Sequence, residues 1–115
     1  MESCLFCKIV NGELASEKIY EDEHLIVFKD IHPVAPVHAL IVPKTHYTNI
    51  LEMVKDEKGR ELLTQVASVL PDIVKACGLQ ERGFRLVNNC GIEGGQTVPH
   101  VHFHLIGGKA LGPKL

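Results

Sequence analysis

Short runs of apolar residues, separated by polar or proline-containing stretches, recur through most of the chain. Such runs, bounded by turn-forming residues, are typical of β-strands. Five of them are predicted as strands, over residues 18–20, 25–28, 39–42, 84–88 and 98–106. The first two flank the largely acidic stretch 21–24 and predict a hairpin. Pro33 and Pro36 predict a loop over residues 30–37.

One longer stretch carries apolar side chains at helical spacing. Within residues 57–77 these are Leu62, Leu63, Val66, Leu70, Ile73, Val74 and Cys77. Gly78 suits the position that follows a helix, because glycine readily adopts a left-handed conformation. Pro71 lies inside the pattern and removes one backbone hydrogen bond, at a cost of about 3 kcal/mol. We therefore expect a kinked helix, with a split into two helices as the alternative.

The connections between the predicted strands are mostly short, which favours an antiparallel order. Residues 4–10 add a short N-terminal helix that ends at Asn11 and Gly12. The predicted fold class is α+β: a sheet of about five antiparallel strands with one long helix and one short N-terminal helix. No linker or repeat divides the chain, so residues 1–115 are expected to form a single domain.

Composition excludes several classes of partner. The chain is 45% hydrophobic and 23% charged, with a formal net charge of −2, so it lacks the basic surface that nucleic-acid binding requires. No apolar stretch is long enough to span a membrane and the N-terminus lacks a basic signal region, which predicts a cytoplasmic protein. A chain of 115 residues buries a modest core, which favours a homodimer.

Three histidines occupy alternate positions of one apolar run: His100, His102 and His104. Side chains of a strand alternate between its two faces, so the three imidazoles are expected to share one face. Same-face neighbours are roughly 6.6 Å apart, which puts the outer two about 13 Å apart, too far to bind one metal ion together. The three histidines are therefore expected to have different roles within one functional site. The alternative is an ordinary strand that happens to contain histidines.

Four cysteines offer either disulfides or thiols. A core-forming cytosolic domain more often keeps thiols or metal ligands. Cys77 and Cys90 are expected to pack as small hydrophobic side chains. Cys4 and Cys7 form a C-x2-C pair, which is a common half of a zinc site but needs two further ligands. Two reduced, buried cysteines are the alternative interpretation.

The run from residue 100 to 106 has the pattern His-φ-His-φ-His-φ-φ, where φ is apolar, and on this pattern the chain resembles the histidine triad nucleotide-binding family. Residues 28–31, 35–38, 41–46 and 89–97 resemble further family segments in the same order. The resemblance covers nearly the whole chain. It implies the fold described above, a homodimer paired across a two-fold axis, and binding of a nucleotide.

The resemblance also implies catalytic roles for three histidines. His102 matches the family nucleophile, which attacks the α-phosphorus of a nucleotide and forms a nucleotidyl-histidine that water then hydrolyses. His104 matches a residue that donates to the same phosphate when it is protonated, and it can protonate the leaving group. His38 matches a histidine of the surrounding hydrogen-bond network.

Further positions match nucleotide-binding residues of the family. Asp30 corresponds to an acceptor for the ribose hydroxyls. Ile31 lies beside it in the sequence. The base pocket is implied to contain Leu5, Phe6, Ile9 and Phe28, although apolar residues serve equally well as ordinary core. Asn89 corresponds to an amide directed at ribose or phosphate, and Gly95, Gln96 and Thr97 correspond to the loop around the phosphate and leaving group. His24 and His32 lie in predicted turns and are given no role.

The metal site is also implied by the resemblance. Branches of the family bind zinc through a C-x2-C pair and two histidines, which correspond here to Cys4, Cys7, His46 and His100. The zinc would be structural and would tie the N-terminal helix to the strand that carries the histidines. No organic cofactor is expected.

Together these features predict a hydrolase that cleaves nucleoside phosphoramidates of purine preference and releases a nucleoside monophosphate. Three alternatives stay open: a dinucleoside polyphosphate hydrolase, a zinc-dependent hydrolase in which His100 and His102 are metal ligands, and a nucleotide-binding scaffold with vestigial chemistry.

Overall fold

A computed structural model describes residues 3–115. Within these residues, three helices and five strands follow one another in the order α1 (Leu5–Val10), β1 (Lys18–Glu21), β2 (Leu25–Lys29), β3 (Val37–Pro43), α2 (Ile50–Met53), α3 (Glu57–Ala76), β4 (Phe84–Val87) and β5 (Phe103–Gly107). No helix among these residues is both long and apolar enough to cross a membrane.

The five strands form one antiparallel sheet in the order β1-β2-β3-β5-β4. The predicted hairpin is β1 and β2. Helices α2 and α3 connect β3 to β4 along the chain. In the sheet, the last strand β5 lies between β3 and β4 and pairs with both. The predicted α+β architecture is confirmed. The central pair β3 and β5 brings His38 opposite Ile106 and Leu40 opposite His104.

Both faces of the central strands are covered, which explains their continuous apolar runs. Side chains on one face, including Val27, Ile41 and Leu105, pack with those of α3 in the main core. Side chains on the other face, including Ile26 and Leu40, pack with Phe6 and Cys4 at the start of α1. This second face carries the histidines described below.

Helix α3 continues through Pro71, so the alternative of two separate helices is wrong. Asp56 caps the helix by accepting a hydrogen bond from the backbone N–H of Gly59 at 2.7 Å. Apolar side chains that pack against the sheet lie on both sides of the proline, with Val66 before it and Ile73 after it. This packing offsets the hydrogen bond that the proline removes.

Strand β5 begins at Phe103, although the sequence predicted a strand from residue 98. Pro99 has no N–H to donate. The next groups bond outside the sheet: the Val101 N–H donates to the Tyr47 carbonyl at 2.7 Å, and the Asn88 amide donates to the His102 carbonyl at 2.9 Å. Alternation nevertheless continues, because Val101 lies in the core with Phe103 and Leu105 while the histidines lie on the opposite side.

Candidate active site and metal centre

Helix α1 starts at a cluster of four potential metal ligands. Cys4 is its N-cap residue, and its Sγ accepts a hydrogen bond from the N–H of Cys7 at 3.3 Å. The Nδ1 of His100 lies 3.2 Å from the Cys4 Sγ and 3.1 Å from the Nδ1 of His46, which in turn lies 3.3 Å from the Cys7 Sγ. All four ligand atoms lie within 4.8 Å of one another, so these residues could hold a metal ion.

The chemistry of the four residues fits that role. The Nε2 of His100 lies 2.8 Å from the carbonyl of Pro43, and a carbonyl only accepts, so Nε2 carries the proton. Its Nδ1 therefore presents a lone pair to the thiols. Burial is the main cause that lowers the pKa of His100 to about 4, which keeps the ring neutral at pH 7. Burial and the adjacent Cys4 raise the pKa of Cys7 to about 11, so that a cation is needed to stabilise the thiolates.

The ring of His102 is fixed by the backbone of its neighbour. Its Nδ1 lies 2.7 Å from the carbonyl of His100, so Nδ1 is protonated and donates. Its Nε2 makes no hydrogen bond within residues 3–115. In this part of the chain every side-chain nitrogen that is inaccessible to solvent has a hydrogen-bond partner, so an unpartnered nitrogen must be solvent-accessible. The Nε2 lone pair is therefore accessible. Burial is the main cause that lowers the pKa of His102, which favours this neutral, nucleophilic form.

His38 and His104 share a proton in a defined direction. The backbone N–H of Val34 donates to the Nδ1 of His38 at 3.1 Å, so His38 carries its proton on Nε2. That Nε2 lies 2.9 Å from the Nδ1 of His104 and 3.4 Å from a carboxylate oxygen of Asp30. The Nδ1 of His104 therefore accepts, and its Nε2 keeps an N–H.

His104 is neutral at pH 7. Burial is the main cause that lowers its pKa to about 4, with the neighbouring His102 and His38 rings contributing. The sequence led us to expect a protonated donor. The geometry instead provides the same donor from a neutral ring, because the proton on Nε2 remains when Nδ1 accepts.

Asp30, His38 and His104 are also close enough together to be considered as metal ligands. Coordination through the Nε2 of His38 would require its proton to move to Nδ1. The Nδ1 already faces the N–H of Val34, so this move would place two N–H groups against each other. The arrangement is that of a proton-sharing chain.

A cavity of about 520 Å³ opens beside these histidines. Its walls include nine of the predicted nucleotide-binding residues, namely Leu5, Phe6, Ile9, Phe28, Asp30, Ile31, Thr97, His102 and His104. Phe6 of α1 packs edge-on against His102, with ring centroids 4.9 Å apart and an interplanar angle of 86°. A cavity of this size with a few convergent polar groups is typical of small-molecule sites.

Three predicted nucleotide-binding residues lie outside the walls of this cavity. Asn89 donates to the Gly94 carbonyl at 2.7 Å. The Gln96 amide donates to the carbonyls of Thr48 and Val98 at 2.7 and 3.0 Å. Gly95 has a φ of 81° and turns the chain. These residues hold the loop that brings Thr97 to the cavity, because the Asn89 amide donates to a carbonyl within the loop and the Gln96 amide ties the loop to Thr48.

Seven residues of the cavity wall were not predicted to bind a nucleotide. His32 lines the cavity, and its backbone N–H donates to Asp30 at 2.8 Å. Its position two residues after Asp30 was the only signal that could have found it. The other unpredicted wall residues are Leu14, Ala15, Ser16, Lys29, Leu40 and Val98. Lys29 lies in the family-like segment 28–31, and no motif marks the others.

Comparison with known proteins gives the family. The sequence model of the HIT domain matches residues 11–111. The chain belongs to the HIT family. This HIT protein is 36% identical over 114 residues to the purine nucleoside phosphoramidase of Escherichia coli, with coverage of 99% of this chain and 94% of that one.

Solved structures agree with this assignment. A HIT family hydrolase from Clostridium thermocellum is 45% identical with a TM-score of 0.93, and the match covers 100% of this chain and 98% of that one. A histidine triad protein from Clostridium difficile is 42% identical with a TM-score of 0.92 and the same coverage. This HIT protein is therefore a hydrolase of the histidine triad type.

Proposed function

We propose that this HIT protein hydrolyses nucleoside phosphoramidates through a nucleotidyl intermediate on His102 and releases a nucleoside monophosphate. The observation that carries the proposal is the fixed tautomer of His102, whose Nδ1 donates to the His100 carbonyl while Nε2 is left free. A neutral imidazole with one accessible lone pair is the form that attacks phosphorus at pH 7.

The reaction would proceed in two displacements. The Nε2 of His102 attacks the α-phosphorus, a bond forms between them, and the bond from phosphorus to the leaving amine breaks. The His104 N–H donates to a phosphate oxygen or to the departing amine, which needs a proton. A water molecule then attacks the phosphorus and gives a proton to His104, which restores the proton that the amine took, and the bond to His102 breaks as the nucleoside monophosphate leaves.

The cavity supports a nucleoside as the bound group. Asp30 offers carboxylate oxygens to the ribose hydroxyls, and the Thr97 hydroxyl offers a neutral donor to the phosphate. Phe6, Phe28 and the other apolar side chains of the wall provide a slot for the base. A purine preference is supported by the resemblance to the relative from Escherichia coli, which is named as a purine nucleoside phosphoramidase.

We propose zinc as the ion for Cys4, Cys7, His46 and His100, because two thiolates and two imidazoles form a donor set that zinc prefers. When bound it would supply a structural cross-link, since the protein provides all four ligands. His102 is not among these ligands and donates its Nδ1 proton to a carbonyl. This geometry favours a structural ion over the alternative of a catalytic zinc held by His100 and His102.

A homodimer in the cytoplasm is proposed as the working form. Phe84 and Leu86 on the edge strand β4 are each 41% exposed, which provides apolar surface for a second copy. All four cysteines are free thiols, as a reducing compartment would keep them.

The test is to trap the intermediate. Quenching in alkaline denaturant during turnover of adenosine phosphoramidate, followed by peptide mass spectrometry above neutral pH, should locate an adenylyl group on His102, because the P–N bond of the adduct hydrolyses in acid. The variant His102→Asn should bind AMP and carry no label. Recovery of the label on another side chain would refute the proposal. Faster turnover of a dinucleoside polyphosphate, with the same labelled residue, would instead favour that class of substrate.

A further inference from the structure

The metal centre and the nucleotide cavity share helix α1. This helix has only six residues, too few to be stable without support from its surroundings. Its cap residue Cys4 and its first-turn residue Cys7 belong to the ligand cluster. Leu5, Phe6 and Ile9 of the same helix line the cavity. Whatever holds Cys4 and Cys7 therefore also holds one wall of the cavity.

Phe6 connects the helix to the proposed nucleophile. Its side chain is 3% exposed and contacts His102 edge-on at 4.9 Å between ring centroids. It also contacts Phe28 at 5.7 Å and His100 at 5.9 Å. A displacement of α1 would move Phe6 and thus release one side of the His102 ring.

His100 connects the two sites a second time. Its ring is fully buried, with Nδ1 directed at the cysteines and Nε2 hydrogen-bonded to Pro43. Its carbonyl accepts the Nδ1 proton of His102. One residue thus places a ligand atom in the metal centre and sets the tautomer of the nucleophile.

We propose that Cys4 and His100 are positioning residues, through which a metal ion at the four-ligand cluster fixes α1 and the His102 ring for nucleotide binding. The nucleotide as ligand rests on the proposed function. The consequence is coupling between the two sites. Removal of the metal should weaken AMP binding about tenfold, within the range typical of coupled sites, and should raise KM more than it lowers kcat.

Variants of Cys4 separate the cap from the metal bond. Cys4→Ser keeps a good N-cap but removes a strong metal ligand, whereas Cys4→Asp keeps the cap and offers a carboxylate ligand. AMP affinity measured by calorimetry should fall about tenfold in Cys4→Ser and in chelated wild type. Zinc-loaded Cys4→Asp should recover most of the affinity. The matched control is Cys77→Ser, which changes a thiol that lies outside the cluster.

A second measurement reports on the ring directly. Nitrogen-15 NMR of the histidine side chains should show one tautomer of His102, with the proton on Nδ1, in the metal-loaded protein and a mixture after chelation. If chelation unfolds the protein, cobalt substitution decides instead: saturating AMP should shift the cobalt d–d absorption, because coupling between two sites is reciprocal.

Equal AMP affinity in loaded and chelated folded protein, together with an unchanged His102 tautomer, would overturn the positioning role. For a protein that unfolds on chelation, a cobalt spectrum that AMP leaves unchanged would do so. If the loaded protein binds no AMP, the proposed function fails, and the His102 tautomer then decides the positioning role alone.

Discussion

Protonation of His104 should destabilise the fold as the pH falls below neutral. Burial holds its pKa at about 4 in the folded protein, whereas an unfolded histidine has a pKa of about 6.5. Between these values the unfolded chain binds more protons than the folded one. The free energy of unfolding therefore rises with pH in this window, and the contribution present above pH 6.5 is lost as the pH falls towards 4.

The magnitude follows from the difference between the two pKa values. Each pKa unit corresponds to about 1.4 kcal/mol, so a shift of about 2.5 units sets an upper bound of about 3.4 kcal/mol. At pH 4.5 the histidine has not completed its titration and its ring is partly exposed, which reduces the expected loss to about 2 kcal/mol.

The variant His104→Asn isolates this contribution. Carboxylates and the metal ligands also titrate in this range, but they are common to both proteins and cancel in the difference. Urea unfolding at pH 7 and at pH 4.5 should show the wild type losing about 2 kcal/mol more than the variant. Equal losses in the two proteins would refute the assigned burial of the neutral ring and the proton-sharing chain that depends on it.

Three further predictions concern activity, metal and assembly. His102→Ala should abolish adenylyl transfer to the protein, whereas His104→Gln should slow phosphoramidate turnover by about 10²–10³ without moving the labelled residue, as quenched-flow assays would show; near-normal turnover in His102→Ala would contradict the two-step route. Elemental analysis should find one zinc per chain, and Cys7→Ser should lower the melting temperature more than it lowers kcat per folded molecule; zinc-free protein with both thiols titratable would contradict this. Light scattering at micromolar concentration should give about twice 12.7 kDa, and a clean monomer would contradict the homodimer.

The helices and strands were predicted correctly where the apolar pattern of the sequence matches the burial of the side chains. The run that became β3 is apolar at successive positions, and it is buried on one face by α3 and on the other by α1. Helix α3 carries a regular apolar stripe on both sides of Pro71, so its interior proline did not divide it. Short-range pattern decides such elements because burial of each side chain stabilises the same conformation.

The start of β5 was predicted wrongly for a reason that lies far away in the chain. The Val101 N–H bonds to Tyr47 and the His102 carbonyl to Asn88, rather than to a neighbouring strand. Nothing in the local pattern distinguishes an extended segment with such partners from a strand. Helix α2 was missed because it has only four residues, a length at which its Asn49 cap contributes more than any periodicity.

Polar residues of the candidate site were harder to assign than histidines. Asn89 and Gln96 have amides that serve a ligand or the backbone equally well, and here they donate to the carbonyls of Gly94 and Thr48 respectively. His32 lines the cavity because of the turn in which it lies, and no sequence motif marks that turn. Whether such a side chain binds a ligand or a backbone carbonyl depends on the positions of backbone groups that are distant in the sequence. Composition and residue spacing do not specify those positions.

The histidines show how one residue type acquires three roles within five positions. The Nε2 of His100 donates to Pro43, which leaves Nδ1 for a metal ion; the Nδ1 of His102 donates to His100, which leaves Nε2 as a lone pair. The Nδ1 of His104 accepts from His38, which leaves Nε2 as a donor. In each case backbone groups fix one nitrogen, directly or through one more ring, and thereby determine the chemistry of the other. A backbone shift at any of these contacts should therefore change the role of a histidine without replacing it.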